Sequence, residues 1–405
     1  MRSIRTSPTP RRGRRRTAVA ATGLVAALAL TATACDGSGK DDASGRPGAS
    51  ASQAATGGGS GGSGGVHVPA DIAGRLKAHG IDVDQWTSGG WKNWDKDKWL
   101  SSAEDFVNPV IKGLWKPERM KSAKEANKTV TKDAAADQGV SDPAPRPVRA
   151  QAEKTPYHRH AAPVGKVFFD SPEGPMVCSG TVVKDVNHPG KSNLVWTAGH
   201  CVHAGQAGGW YRNIAFVPSY NDYGKSASQL SGATSAEVAP FGAWWADWAS
   251  TSNQWIQGGA ETGGAGAPYD YAVLHVKPES GSKSLEETVG ALDVDFSAPQ
   301  ANQVTTMGAW GYPAAPPYDG LKMFRCLDRP GRLSLSPALP AMYRIGCTMT
   351  GGSSGGGWFR VVGGKTELVS NTSIGPSDNT WLAGPQLGPV AEALYQNMSR
   401  TYGGR

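Results

Sequence analysis

From about residue 162 the chain is written in short β-rich runs separated by glycine and proline, and this texture constrains the fold most. Examples are Gly165-Lys166-Val167-Phe168-Phe169, Gly180-Thr181-Val182-Val183, Leu194-Val195-Trp196-Thr197 and Phe359-Arg360-Val361-Val362. Many short strands with regular turn signals point to a sandwich or barrel. The apolar content of the later half suffices for one core of about 200–250 residues, a usual size for a single all-β domain. Only the end differs. From Pro389, the residues Val390, Leu394 and Met398 recur at helical spacing and predict a C-terminal helix.

The first 161 residues have another character. Residues 1–34 hold a basic stretch around Arg11–Arg16, a small and apolar run from Thr17 to Leu30, and the small residues Thr31 to Ala34. This is the pattern of an export signal, too short for a membrane span of roughly 20 apolar residues. Residues 35–65 read as a flexible Gly/Ser tether that cannot build a core. Residues 66–161 carry Trp86, Trp91, Trp94, Trp99 and Trp115 among Asp and Lys, too many tryptophans for a bare linker. Ser101-x-x-Glu104 predicts a helix start, Pro117 a second short helix, and Asp142 to Pro147 a linker.

The net charge of +7 has its source in the seven arginines of residues 1–34; outside them, basic and acidic residues balance. No electrostatic case for a nucleic-acid partner remains. Five cysteines are present. In an exported chain they are expected to form disulfides, and one is left over. Cys35, directly after the signal, is placed like the lipid-modified cysteine of bacterial lipoproteins, although Ala32-Thr33-Ala34 also reads as an ordinary cleavage site. The chain is therefore expected outside the cytoplasm, either secreted or lipid-anchored to the outer face of the membrane.

Three segments carry chemistry. Trp196-Thr197-Ala198-Gly199-His200-Cys201 sets a histidine beside a cysteine that can bond back to Cys178 and fix the backbone next to the imidazole. Tyr269-Asp270-Tyr271-Ala272-Val273-Leu274 places an aspartate directly before a buried-looking strand, where its charge is costly unless used. Thr350-Gly351-Gly352-Ser353-Ser354-Gly355-Gly356 is a glycine-rich turn wedged between Cys347 and an apolar strand. Such a turn lets backbone N–H groups of Gly352 and Ser354 approach a reacting carbonyl and stabilise an oxyanion. The order His, Asp, Ser is that of a nucleophilic triad.

These three segments resemble the signatures of trypsin/chymotrypsin-like serine peptidases over roughly residues 162–405. Thr350–Gly356 with Gly311-Tyr312-Pro313 is similar to the bacterial glutamyl-endopeptidase branch. The resemblance implies an all-β fold of two antiparallel six-stranded β-barrels with a closing C-terminal helix, preceded here by the partly helical Trp-rich segment. It implies the triad His200, Asp270 and Ser354, an oxyanion hole at Gly352 and Ser354, and the disulfides Cys178–Cys201 and Cys326–Cys347. It implies a substrate pocket near Thr348, Thr372 and Ser373. Residue 348 is not the aspartate of basic-residue specificity, and Leu368–Gly375 lacks the histidine of glutamyl specificity. A pocket for small or neutral side chains is expected.

The resulting expectation is a serine endopeptidase that acts through an acyl-enzyme, needs no cofactor or metal, and takes a polypeptide substrate. A neutral His200 would make activity fall as pH drops through about 6–7. The alternative is a catalytically inactive binding module on the same fold. An esterase of the α/β-hydrolase type is disfavoured, since all eight histidines precede Ser354. Residues 66–161 have two readings: a propeptide that docks on the peptidase domain until cleavage near Arg146, Arg149 or Arg159, which is the favoured one and makes the chain a zymogen, or a segment that stays attached and positions the enzyme or binds cell-wall material.

Overall fold

The computed structural model describes residues 74, 77, 82–92, 94, 105–107, 111, 113–126, 128–130 and 140–404. The expected export signal, Cys35, the tether and Ser101–Glu104 lie outside them. The first strands are β1 (Asp105–Val107), β2 (Lys124–Glu125), β3 (Thr129–Val130) and β4 (Gln151–Ala152). The short helix Pro117–Ser122 begins at its proline, as predicted. Residues just after Ser101–Glu104 are strand β1 and not helix.

The central body opens with β5 (Val164–Ser171), β6 (Gly174–Val183), β7 (Leu194–Thr197), β8 (Arg212–Pro218) and β9 (Trp244–Thr251). A two-residue pairing, β10 (Gly259–Ala260) with β11 (Gly263–Gly264), precedes β12 (Ala272–Pro278). Strands β9, β12, β7, β6, β5 and β8 pair in that order, and β8 pairs back onto β9. This is a closed six-stranded antiparallel barrel, which leaves no edge open within the ring. Alternation along the strands builds two cores. Val167, Phe169, Cys178, Val195 and Leu274 belong to one cluster, while their neighbours Phe168, Val177, Trp196 and Val273 belong to another.

The second half contains β13 (Asp293–Val294), β14 (Met307–Gly311), β15 (Phe324–Asp328), β16 (Gly331–Leu333) and β17 (Met342–Gly346). It continues with β18 (Gly357–Val362), β19 (Lys365–Asn371), β20 (Gly375–Pro376) and β21 (Trp381–Pro385). Here the pairings do not by themselves close a second barrel as they close the first. The pairings form a six-stranded sheet, β13-β19-β18-β14-β15-β4, and a separate three-stranded sheet, β16-β17-β21. Pro330 separates β15 from β16, because proline brings no N–H to a ladder and the run breaks there.

The C-terminal helix, Pro389–Tyr402, closes against the barrel, with Tyr402 stacked on Trp248 at 4.2 Å between ring centroids. Its buried face is Ala391, Tyr395, Met398 and Tyr402; Val390 is exposed and Leu394 half-buried. The packed face is thus turned by one residue from the predicted one. Tyr395 and Tyr402 supply the larger ring areas for packing on the barrel.

Residues of the Trp-rich segment pack on the barrel through stacked cations. The Arg119 guanidinium sits 4.1 Å from the Trp115 ring centroid and pairs with buried Asp170 of β5 at 2.5 Å. The Trp115 indole N–H donates to the Asn213 carbonyl at 2.7 Å. Arg212 of β8 lies over Trp86 and Trp94 at 4.9 and 4.1 Å. Residues 140–160 are bound more intimately still. Strand β4 pairs with β15, Val148 and Ala150 bond Thr348, and Asp142 forms an ion pair with Arg332 at 2.9 Å. Among the described residues, no helix is long and apolar enough to cross a membrane.

Candidate active site

His200 lies in a tight turn, Gly199–Cys201, directly after β7. Cys201 is joined to Cys178 of β6, with 6.1 Å between Cα atoms, so the turn is tied to the neighbouring strand. The second bridge, Cys326–Cys347, links β15 to the residue after β17 with 5.5 Å between Cα atoms. Asp270 ends the turn Ala267–Tyr269, immediately before β12. The antiparallel register Ala272↔Thr197 brings the start of β12 to the end of β7, which places Asp270 beside His200.

The pairing between them is close and doubled. Asp270 Oδ2 lies 2.7 Å from His200 Nδ1, and Asp270 Oδ1 accepts the His200 backbone N–H at 2.8 Å. Both residues are fully buried, so the carboxylate depends on these donors for its stability. A third donor is Ser373, whose hydroxyl reaches Asp270 Oδ2 at 2.6 Å. Asn371 adds a bond from its side-chain amide to the Asp270 carbonyl at 2.9 Å, and is held in turn by the Trp196 indole N–H at 3.0 Å.

Ser354 sits in the glycine turn between β17 and β18. Gly352 and Gly355 have φ of +93° and +74°, a region costly for residues with a side chain. A Cβ at Gly352 would also press on the Tyr312 carbonyl, and one at Gly355 on Thr197 and the Ser179 carbonyl. Turn bonds hold Ser353, Gly355 and Gly356 through their N–H groups, while those of Gly352 and Ser354 take no part in them.

The Ser354 hydroxyl does not donate to His200. It donates to the backbone carbonyl of Ala126 at 3.0 Å, and His200 Nε2 is buried without a hydrogen-bond partner. Lys128 lies close by; burial lowers its pKa from the ordinary lysine value, against the opposing pull of Asp270, Glu261 and Glu173. The three residues expected in the substrate pocket each make hydrogen bonds within the fold. Thr348 accepts the Ala150 N–H at 2.9 Å and lies 3.2 Å from the Tyr318 hydroxyl. Thr372 accepts the Trp358 indole N–H at 2.9 Å, and Ser373 serves Asp270.

The roles of Ser373, Asn371 and Ala126 were not foreseen from sequence. Ser373 lies in the quoted stretch Leu368–Gly375, but nothing in a single sequence points its hydroxyl at Asp270. The cluster Cys178, His200 and Cys201 has its donor atoms close together, yet both sulfurs are spent in a disulfide, so it offers no ordinary metal site.

No family model and no curated protein matches the chain. Among solved structures, a thermostable serine protease, AL20, from an extremophilic microorganism is 31% identical, over 60% of this chain and 98% of that one, with a TM-score of 0.47. The protease Anisep from Arthrobacter nicotinovorans is 30% identical, over 62% of this chain and 99% of that one, with a TM-score of 0.48. A Glu endopeptidase solved in complex with MPD is 15% identical, over 66% and 100%, with a TM-score of 0.45. The superpositions add no argument. The closed barrel, the closing helix, the three signatures in order and the identity to two serine proteases carry the assignment: the chain belongs to the trypsin/chymotrypsin-like serine peptidases.

Proposed function

We propose that the protein is an exported serine endopeptidase whose triad is His200, Asp270 and Ser354. The observation that carries this is the Asp270 carboxylate bonded to His200 Nδ1, the His200 N–H and the Ser373 hydroxyl. A buried, fully bonded carboxylate orients the imidazole and stabilises the imidazolium formed when the base takes a proton. His200 Nε2 removes the Ser354 proton as Oγ attacks the peptide carbonyl carbon. The N–H groups of Gly352 and Ser354 receive the developing oxyanion. On collapse the C–N bond breaks, His200 gives its proton to the leaving amine, and an ester on Ser354 remains. Water, deprotonated by His200, then attacks that ester and releases the acid and the free hydroxyl. No metal or organic cofactor enters this scheme.

In this reading the signal over residues 1–34 directs export, and Cys35 either carries a lipid or is left by ordinary cleavage. Two disulfides are consistent with an extracellular setting. Residues 66–139 are the propeptide. The peptidase body is drawn from residue 140 and not 162, because β4 and the Asp142–Arg332 pair belong with it. Arg146, Arg149 and Arg159, expected as cleavage points, fall within that bound stretch, so the cut is placed in residues 131–139. The pocket, with neither the aspartate nor the histidine of the charged specificities, takes small or neutral side chains.

The test is labelling with a serine-directed fluorophosphonate, followed by peptide mapping, alongside Ser354→Ala. Labelling at Ser354 in the chain cut within 131–139, absent in the variant, is the expected result. An unlabelled cut chain would shift the assignment to a binding module on this fold.

A further inference from the structure

We infer that residues 124–126 and 128–130 form a strap that fills the active-site cleft with the opposite chain direction to a substrate, so that it inhibits the peptidase without being cut. The inference rests on the triad assignment above and deepens it.

The strap's direction is read from its pairings. Strand β2 runs parallel to β6, with Lys124 opposite Met176 and Glu125 opposite Val177, and the Ala126 N–H continues the ladder to the Val177 carbonyl at 3.2 Å. Strand β3 runs parallel to β20, with Thr129 opposite Gly375 and Val130 opposite Pro376. The Gly375 N–H also donates to the Lys128 carbonyl at 3.3 Å. Val130 is buried against Ile374, Trp381 and Ala383. The strap therefore enters along β6, crosses Ser354 at Ala126, and leaves along β20.

The direction of a productive substrate follows from the proton transfers. His200 must protonate the leaving amine, so the part of the substrate after the scissile bond lies toward His200. The Cys178–Cys201 bridge ties His200 to β6. The acyl half then lies toward Ser373 and β20. A substrate accordingly runs from β20 toward β6, antiparallel to the strap.

The reversal has a chemical consequence. The carbonyl presented to Ser354 is that of Ala126, and the nitrogen that would have to leave belongs to the next residue, on the side leading to β20. His200 stands on the other side, so the leaving amine has no proton donor. The ground state is altered as well: the Ser354 hydroxyl is spent on the Ala126 carbonyl, and His200 Nε2 is left without a partner. Both features separate a strap from a substrate waiting to be cut.

The experiment uses the full chain carrying a site for an added protease within residues 131–139. Fluorophosphonate labelling of Ser354 is timed in the uncut chain, and in the cut chain before and after dilution. The expected result is slow labelling when uncut, and labelling that accelerates at least about tenfold when the cut chain is diluted and the segment dissociates. In the uncut chain, Ala126→Pro, which loses the N–H to Val177, and Val130→Ser are each expected to raise the labelling rate by up to about tenfold. Mass spectrometry should find residues 124–130 intact after the enzyme has digested a peptide substrate. Equal labelling rates in uncut and diluted chains would overturn the strap while leaving the triad standing. Rapid cleavage after Ala126 would overturn its polarity. No labelling of Ser354 in any form would defeat the triad assignment itself.

Discussion

Ser373 holds the one side-chain hydroxyl bonded to the buried Asp270 carboxylate among the described residues, at 2.6 Å. A hydrogen bond to a charged group contributes about 1.5–3 kcal/mol, and its loss in a buried site leaves the acceptor short of a donor. Ser373→Ala is therefore expected to lower kcat roughly tenfold to a hundredfold with little change in KM, because the bond orients the base and not the substrate. Steady-state rates of the cut enzyme on a small ester or peptide would check this; a change in KM alone would assign Ser373 to the pocket. The proposed triad of His200, Asp270 and Ser354 was read from three local patterns, a histidine beside a cysteine, a charge before an apolar strand and a serine among glycines, together with their order and their resemblance to the serine-peptidase signatures. Ser373 was not, since its role depends on β19 delivering the chain to Asp270 across 103 positions of sequence. Ala126 was not either, because a lone alanine in a polar stretch carries no chemical signal.

Strand β5 buries all eight of its residues, including a lysine. Lys166 donates to the Gly320 carbonyl at 2.9 Å and lies 4.5 Å from the Tyr220 ring centroid. Burial pushes its pKa down to about 7, with Asp319 pulling weakly the other way. In the unfolded chain the group titrates near the ordinary lysine value, so between about pH 7 and 10 the unfolded state binds more protons. Stability thus rises with pH through that window, and the full cost of the buried ammonium is present below about pH 7. Lys166→Met is expected to be more stable than the parent at pH 6, by about 1–3 kcal/mol, with the gap narrowing toward pH 10. Urea unfolding at the two pH values measures it; a constant gap would show that Lys166 stays charged throughout. The strands themselves were legible, since short β-branched runs between glycines have few other folds open to them. The second barrel is less plain than the first: the later strands pair as two sheets, and Pro330 lies where the run between β15 and β16 is interrupted.

At the scale of the whole molecule, the boundary between what is removed and what remains is set by how each stretch is held. The described residues from 113 to 130 meet the barrel through stacked cations, among them Arg119 between Trp115 and Asp170, two short pairings, and the buried side chains Trp115, Met120 and Val130. The cation stacks and short pairings are worth about 0.5–2 kcal/mol each, and once the chain is cut the segment also loses the effective concentration that its tether gave it. Residues 140–160 are different. Strand β4 completes the edge of a six-stranded sheet, and Tyr157, almost fully buried, packs edge-on against Tyr312 while its hydroxyl oxygen accepts the Met323 N–H at 3.1 Å. Removing them would bare the β15 edge and open a cavity the size of a tyrosine, a loss of about 3–5 kcal/mol from the ring alone. Enzyme cut within 131–139 and freed of its N-terminal segment is therefore expected to melt cooperatively within a few degrees of the parent. A chain beginning at residue 162 should melt far lower or fail to fold. Thermal unfolding of the two by circular dichroism decides the matter: equal melting temperatures would return the boundary to residue 162, and early melting of both would make residues 66–139 a structural part of the mature enzyme.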